Sequence, residues 1–326
     1  MQTFGKWLGR IFLALVITGV AIWFLVPKEP VDTEIAFDPR VLGDDLDAYL
    51  ARSEAAFDDI TEGVEKRIIW NGNKGVKTTL SIVYIHGFSA TSEEIRPVPD
   101  KLAARLGANL FYTRLKGHGR GGLALVEPVA GDWLEDTAEA LAIGRRIGEE
   151  VIIIATSTGG TAAAIAATNP VFMEQVKGIA MISPNFRVRS PAAVMLEWPL
   201  ARSWAAVVAG AERSLAPQNE AHGKYWTTLY PTTALIPMAA LVKYARNADY
   251  SKVTTPALFI FSDEDGVVSA ETTRAISTKW GGQIKLARRV MGEGDDPFSH
   301  VIAGDILSPG QTDGTVALLK TWIEEL

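Results

Sequence analysis

The sequence predicts an α/β fold: a doubly wound, mostly parallel sheet with an inserted helical cap, preceded by a separate apolar N-terminal helix. Three observations predict it. First, short β-branched runs alternate with helical patterns from about residue 67 to the C-terminus, as right-handed strand–helix–strand crossovers require. Second, the run Val151-Ile152-Ile153-Ile154-Ala155 breaks abruptly into Thr156-Ser157-Thr158-Gly159-Gly160 and then an alanine-rich helical pattern. That is a strand, a sharp turn and a helix, with a serine at the apex. Third, residues 183–250 show no strand signal but carry Trp198, Trp204, Trp226 and repeated prolines. The stretch is too long for a loop and too apolar for disorder, so it reads as a cap over about 184–250.

The individual elements follow in order. Residues 27 to about 45 form an acidic, proline-containing linker, and Asp45 to Phe57 has helical spacing, giving a linker and lead-in helix over 27–60. Arg67 to Trp70 and Thr79 to Ile85 read as strands that open the domain spanning 61–326. A helix is expected from Ser92 or Glu93 to Leu106, and a strand from Asn109 to Thr113. Asp132 caps a helix to Ile147, and the strand from Val151 feeds a helix from Thr158 to Thr168 that Asn169-Pro170 ends. Strands at Lys177–Ile182, Ala257–Ser262 and Ile284–Val290 and a helix at Gly314–Glu324 complete the pattern.

The N-terminus has a different character. Ile11 to Val26 is almost wholly apolar, with Lys6 and Arg10 before it and Pro27 after it. At 1.5 Å per residue this run spans roughly 24 Å. Starting the helix at Trp7 brings it close to the hydrocarbon thickness, because Arg10 can snorkel and Trp7 suits the headgroup level. Residues 7–26 therefore read as a transmembrane signal anchor. The alternative, a cleaved signal peptide, would end in a small-x-small site, whereas this run ends in Trp23-Phe24-Leu25-Val26-Pro27. Basic residues before the span and Glu29, Asp32 and Glu34 after it put the N-terminus in the cytoplasm and the bulk on the extracytoplasmic side.

Composition narrows the chemistry. Of 326 residues 48% are hydrophobic and 21% charged, which describes an ordered chain with an ample core. The net charge of -6 and the lack of a basic cluster argue against nucleic acid as a partner. The absence of cysteine excludes disulfides, cysteine nucleophiles and thiolate metal sites. Only His86, His118, His222 and His300 are present, so a histidine-rich metal site is not expected, and neither is a cofactor.

A sharp strand–helix turn strains its apex residue and lifts the hydroxyl of Ser157 clear of the sheet; Gly159 keeps neighbouring backbone away. The usual pattern is G-x-S-x-G, and here Ala155 takes the first place. A nucleophilic serine needs a base, and the base needs a carboxylate. In the chain order Ser, acid, His, only His222 and His300 follow Ser157. His222 falls in the cap. His300 lies in the loop after the last strand, where a base belongs. The acid should follow the strand ending at Ser262; Asp265, anchored by Gly266-Val267-Val268, is preferred over Asp263. Oxyanion donors are expected from the Thr158 N–H at a helix N-terminus and the Phe88 N–H in His86-Gly87-Phe88, with His86 and His118 structural.

Taken together, the His86-Gly87-Phe88 loop, the Gly117-His118-Gly119 turn, the elbow at Ser157, the acid turn at Asp265 and the Ser299-His300 loop resemble the α/β-hydrolase superfamily. The likeness is closest to its carboxylesterase and monoacylglycerol-lipase-like branch, which is also grouped with serine aminopeptidases. It covers about residue 65 to the C-terminus, and Ala155 departs from the pattern. The resemblance implies a Ser-His-Asp hydrolase with a cap over its site. The expectation is a membrane-anchored serine esterase acting on a small-molecule ester or acyl substrate. An aminopeptidase is the alternative, since Glu197, Glu212 and Glu220 lie in the cap. A silent membrane-tethered binding protein is the other.

Overall fold

A computed structural model describes residues 2–326. Its first element is α1 (Gln2–Leu25), of which Phe4–Leu25 is long and apolar enough to cross a membrane, with a mean hydropathy of 2.2 and no part buried. Helix α2 (Leu46–Glu54) starts at Asp45, whose side chain accepts the Ala48 N–H as an N-cap. The acidic stretch between α1 and α2 is strapped to the body rather than free. Leu42 is fully buried, Val31, Ile35 and Phe37 pack on the core, and Ala36 N donates to Glu135. Glu54 then meets Arg114 in a buried two-pronged pair, with Nε to Oε2 at 2.7 Å and Nη2 to Oε1 at 2.9 Å.

The sheet begins with β1 (Arg67–Ile69) and β2 (Thr78–Ile85). Helix α3 (Val98–Leu106) starts five or six residues later than its polar lead-in suggested. Pro97 has no N–H to donate and would break a helix running through it, so the helix forms only beyond it. β3 (Asn109–Tyr112) is followed by α4 (Ala130–Ile147). Asp132 does not cap α4 from outside. It is the third helical residue and reaches back to accept the Val129 N–H at 2.8 Å, the returning half of a capping box. β4 (Gly148–Thr156) gains residues before Val151 because Gly148 and Glu150 pair with Thr78 and Leu80. Then come α5 (Thr158–Ala167) and β5 (Val176–Ile182).

The segment after β5 is not purely helical. A 3₁₀ turn (Pro191–Glu197) and α6 (Ala201–Ala209) precede β6 (Glu212–Ser214); α7 (Glu220–Tyr225) precedes β7 (Leu229–Pro231), which pairs antiparallel with β6. Strands this short carry no readable alternation. Helix α8 (Leu235–Asn247) closes the segment and packs on α5. The chain returns through β8 (Ala257–Phe261), α9 (Ala270–Ser277), β9 (Ile284–Arg288) and α10 (Thr312–Glu324).

The seven-stranded sheet has the order β1-β3-β2-β4-β5-β8-β9. Every neighbour pair is parallel except the edge pair β1 and β3. Alternation along the central strands divides the core in two. Ile153, Ala155, Met181 and Phe259 face α4 and α5, while Ile152, Ile154, Ile182 and Ile260 face α3 and α10. A parallel sheet covered on both faces reads as continuous apolar runs, as its central strands do here. With β2, β4, β5 and β8 side by side, the loops leaving their C-terminal ends converge.

Candidate active site

Ser157 stands where β4 passes into α5. Its φ of 50° and ψ of -116° lie outside the regions an L-residue ordinarily occupies. The turn is held from both sides, as Ser157 N donates to Ile182 O at 2.9 Å and Asn185 N donates to Ser157 O at 3.0 Å. Gly159 is obligatory: a Cβ there would sit 2.3 Å from Ile85 O and 2.5 Å from His86 O.

The structure brings His300 and Asp265 to this serine. His300 Nε2 lies 3.0 Å from Ser157 Oγ, and His300 Nδ1 lies 2.8 Å from Asp265 Oδ2. Asp265 is 1% exposed and its other oxygen, Oδ1, accepts the Val267 and Val268 N–H groups, each at 2.8 Å. The Gly266-Val267-Val268 turn thus aims the carboxylate. Arg189 also donates to the Asp265 carbonyl. Asp263 points away to the surface, paired with Arg274 and Arg288.

The backbone that carries the imidazole is held by a second carboxylate, Asp296, which no local sequence pattern assigns to the site. Asp296 Oδ2 accepts the N–H groups of His300 and Val301, each at 3.0 Å, and Oδ1 accepts from Phe298 N at 3.2 Å and Gln218 Nε2 at 3.0 Å. An Asp-Pro pair opening a loop is the turn signal that marks it. Burial disfavours the imidazolium, yet the neighbouring carboxylates of Asp265, Glu94 and Asp296 outweigh it and hold His300 above the ordinary histidine range.

The other histidines have different surroundings. His86 is fully buried, with Nε2 accepting from Leu115 N at 3.1 Å and Nδ1 on Gly87 O at 2.9 Å. The accepting Nε2 leaves Nδ1 to donate, so the ring is neutral, and burial pushes its protonation far below the usual value. His118, in van der Waals range of the His86 ring, is also buried, and burial drops it to about 4. His222 is on α7, where Nδ1 accepts from Gln218 N and the ring lies edge-on to Trp226.

Thr158 opens α5, whose first helical bond runs from Thr161 N to Ser157 O. The N–H groups of its first turn therefore have no helical acceptor and make up the positive end of the helix. Phe88 is wedged edge-on among His118, Trp133 and Tyr230, at ring distances of 5.6, 6.1 and 5.5 Å. Tyr230 brings the inserted segment onto the loop beside Ser157. The tryptophans of that segment go elsewhere: Trp226 packs into the core facing α3 and α10, and Trp198 meets Trp204 and Trp23 of α1. With Ser157 6% and His300 9% exposed, the serine–histidine pair is nearly covered.

A serine hydroxyl on an imidazole that is itself held by a carboxylate can deliver an alkoxide-like nucleophile to a carbonyl. Comparison with known proteins bears on the fold. A search of curated proteins returns no match. Among solved structures, one from the metagenome-derived lipolytic enzymes LipS and LipT superposes with a TM-score of 0.65 at 21% identity, covering 82% of this chain and all of that one. A soluble variant of monoglyceride lipase from Saccharomyces cerevisiae, bound to a substrate analogue, gives a TM-score of 0.61 at 12% identity over 80% of this chain and 90% of that one. Monoacylglycerol lipase from Paleococcus ferrophilus gives 0.57 at 14% identity over 79% and 97%. At such identities the likeness shows the fold. The model of the alpha/beta hydrolase family matches residues 82–302, a span running from β2 past His300, and the chain belongs to that family.

Proposed function

We propose that the protein is a membrane-anchored serine hydrolase that cleaves carboxylic esters through an acyl-enzyme. The carrying observation is the continuous relay from Ser157 Oγ to His300 Nε2 and from His300 Nδ1 to Asp265 Oδ2. In this reading His300 takes the Ser157 proton as Oγ attacks the carbonyl carbon. The N–H groups of Phe88 and Thr158 receive the developing oxyanion. The imidazolium then protonates the departing alcohol, leaving the acyl group on Ser157. Water deprotonated by His300 attacks that ester, and collapse returns the proton to Ser157 and releases the acid. Asp265 keeps Nδ1 protonated throughout. Residues 4–25 would hold the enzyme at a bilayer, with the body on the extracytoplasmic side.

An ester is favoured over an aminoacyl amide by what surrounds the relay. An aminopeptidase needs a carboxylate at the site for the substrate's amino group, but of the cap glutamates Glu197 is paired with Arg246 at 2.9 and 3.0 Å, and Glu212 and Glu220 lie on the exposed surface, whereas Ser157 and His300 are nearly covered. Phe88 and Tyr230 instead pack ring against ring at 5.5 Å, just beyond Gly87, which lies against Ser157. The lipolytic solved neighbours are in keeping with this. The test is kcat/KM along a C2 to C16 p-nitrophenyl ester series beside alanyl and prolyl amides. Each methylene that finds apolar surface contributes about 0.8 kcal/mol, so kcat/KM should climb a few-fold per carbon before it levels. An amide turned over faster than every ester would overturn the assignment in favour of a peptidase.

A further inference from the structure

The relay proposed above leaves one carboxyl beneath it unused. Glu94 is 2% exposed and lies in the loop after β2. Its Oε2 accepts the Gly87 N–H at 2.7 Å and the Tyr84 hydroxyl at 2.9 Å, and Tyr84 Oη lies 3.1 Å from Thr156 Oγ1. One carboxyl therefore ties the His86-Gly87-Phe88 loop to the ends of β2 and β4, the strand that leads into the elbow. Both bonds fall on Oε2. Oε1 and Ser157 border the same narrow space at Gly87: a Cβ added there would stand 2.7 Å from Oε1 and 3.0 Å from Ser157 Cβ.

The nearby guanidiniums are engaged elsewhere. Arg67 and Arg96 both bind Glu93, Arg96 also binds Asp100, and Arg114 binds Glu54. Burial raises the Glu94 carboxyl to about 7 against the lowering effect of Gly87, Tyr84 and His300. The groups acting on His300 are Asp265 from the loop after β8, Asp296 from its own loop and Glu94 from the loop after β2. A charged acceptor grips a backbone N–H more firmly than a neutral one, and a buried negative charge favours a neighbouring imidazolium.

We propose that Glu94 is a positioning residue with two tasks: it clamps Gly87 so that the Phe88 N–H stays aimed at the oxyanion, and it supports the positive charge that His300 acquires. The inference rests on the Ser157–His300 reading. It adds a carboxyl outside the Ser-His-Asp relay whose loss acts on turnover rather than on substrate affinity.

The test uses two variants of the full-length protein and the pH profile of kcat/KM on a p-nitrophenyl ester. Glu94→Gln keeps the size and an acceptor oxygen but removes the charge, so the acid limb set by His300 should move to lower pH by about half a unit or more. Glu94→Ala releases the loop and should lower kcat roughly tenfold or more with KM nearly unchanged. An unmoved limb in Glu94→Gln overturns the proposal, and so does a kcat within about twofold of wild type in a folded Glu94→Ala. If circular dichroism shows Glu94→Ala unfolded, the Glu94→Gln profile decides alone. Fluorophosphonate labelling of the wild type separates the two readings. An unlabelled Ser157 refutes the serine mechanism, whereas a labelled Ser157 with an unmoved limb refutes only the role of Glu94.

Discussion

Ser157 and His300 are 143 positions apart in the chain, yet His300 Nε2 lies 3.0 Å from Ser157 Oγ. Nothing local dictates that distance. It results from the parallel order β4-β5-β8-β9, which carries the elbow after β4, the acid turn after β8 and the base loop after β9 to the same C-terminal end of the sheet. Each group is then locked by its own backbone contacts. Ser157 is held by Ile182 and Asn185, Asp265 by Val267 and Val268, and His300 by Asp296.

Asp265→Asn should lower kcat by roughly 10⁴ with little change in stability. The amide oxygen can still accept from Val267 and Val268, while its NH₂ faces His300 Nδ1 and stabilises the tautomer that cannot take the serine proton. Asp263→Asn loses only exposed pairs with Arg274 and Arg288, worth at most about 1 kcal/mol, and should leave kcat unchanged. Steady-state kinetics on both purified variants check this. A larger loss in Asp263→Asn would move the acid role.

Gly159→Ala should be among the most damaging single-methyl changes in the chain. The new Cβ meets backbone oxygens of Ile85 and His86, which cannot rotate away, so β2 and the elbow must separate. Overpacking of this kind typically costs about 1–3 kcal/mol and here also displaces Ser157 and the Phe88 loop. Thermal denaturation and ester turnover measure the two effects together. A variant with wild-type melting and kcat would mean that the turn is looser than its contacts indicate.

A chain starting at Lys28 should be soluble, folded and active. Residues 4–25 are unburied, and the cut keeps the Glu29–Arg202 pair and the packing of Val31, Ile35 and Phe37. The full-length chain should stay with membranes through a carbonate wash. Sedimentation of both forms after fractionation gives the answer. A full-length chain recovered as a shortened soluble form would point to a cleaved signal peptide.

How far the sequence could be read depended on whether a signal was local. The elbow was legible because Val151–Ala155 is a buried parallel strand and Ser157-Thr158-Gly159 is a turn with a steric requirement. Asp265 was legible because Gly266-Val267-Val268 announces a loop that turns back onto the sheet. Glu94 and Asp296 were not, since their roles come from backbone N–H groups brought near by tertiary folding. The start of α3 is masked because polar residues before Pro97 imitate a helix N-terminus, and the β6–β7 ribbon is too short to show a period. The strap between α1 and α2 carries the sequence signature of a linker because only Leu42 in it is fully buried and its acidic residues suggest solvent.

The most direct measurement is covalent labelling of the full-length protein with a fluorophosphonate, followed by peptide mass spectrometry and by ester hydrolysis assays on the same samples. One adduct is expected, on Ser157, formed in step with loss of hydrolysis. A folded Ser157→Ala should take no label and lose on the order of 10⁶ in kcat. Hydrolysis that survives in Ser157→Ala within about tenfold, or an adduct mapping to another residue, would contradict the serine mechanism.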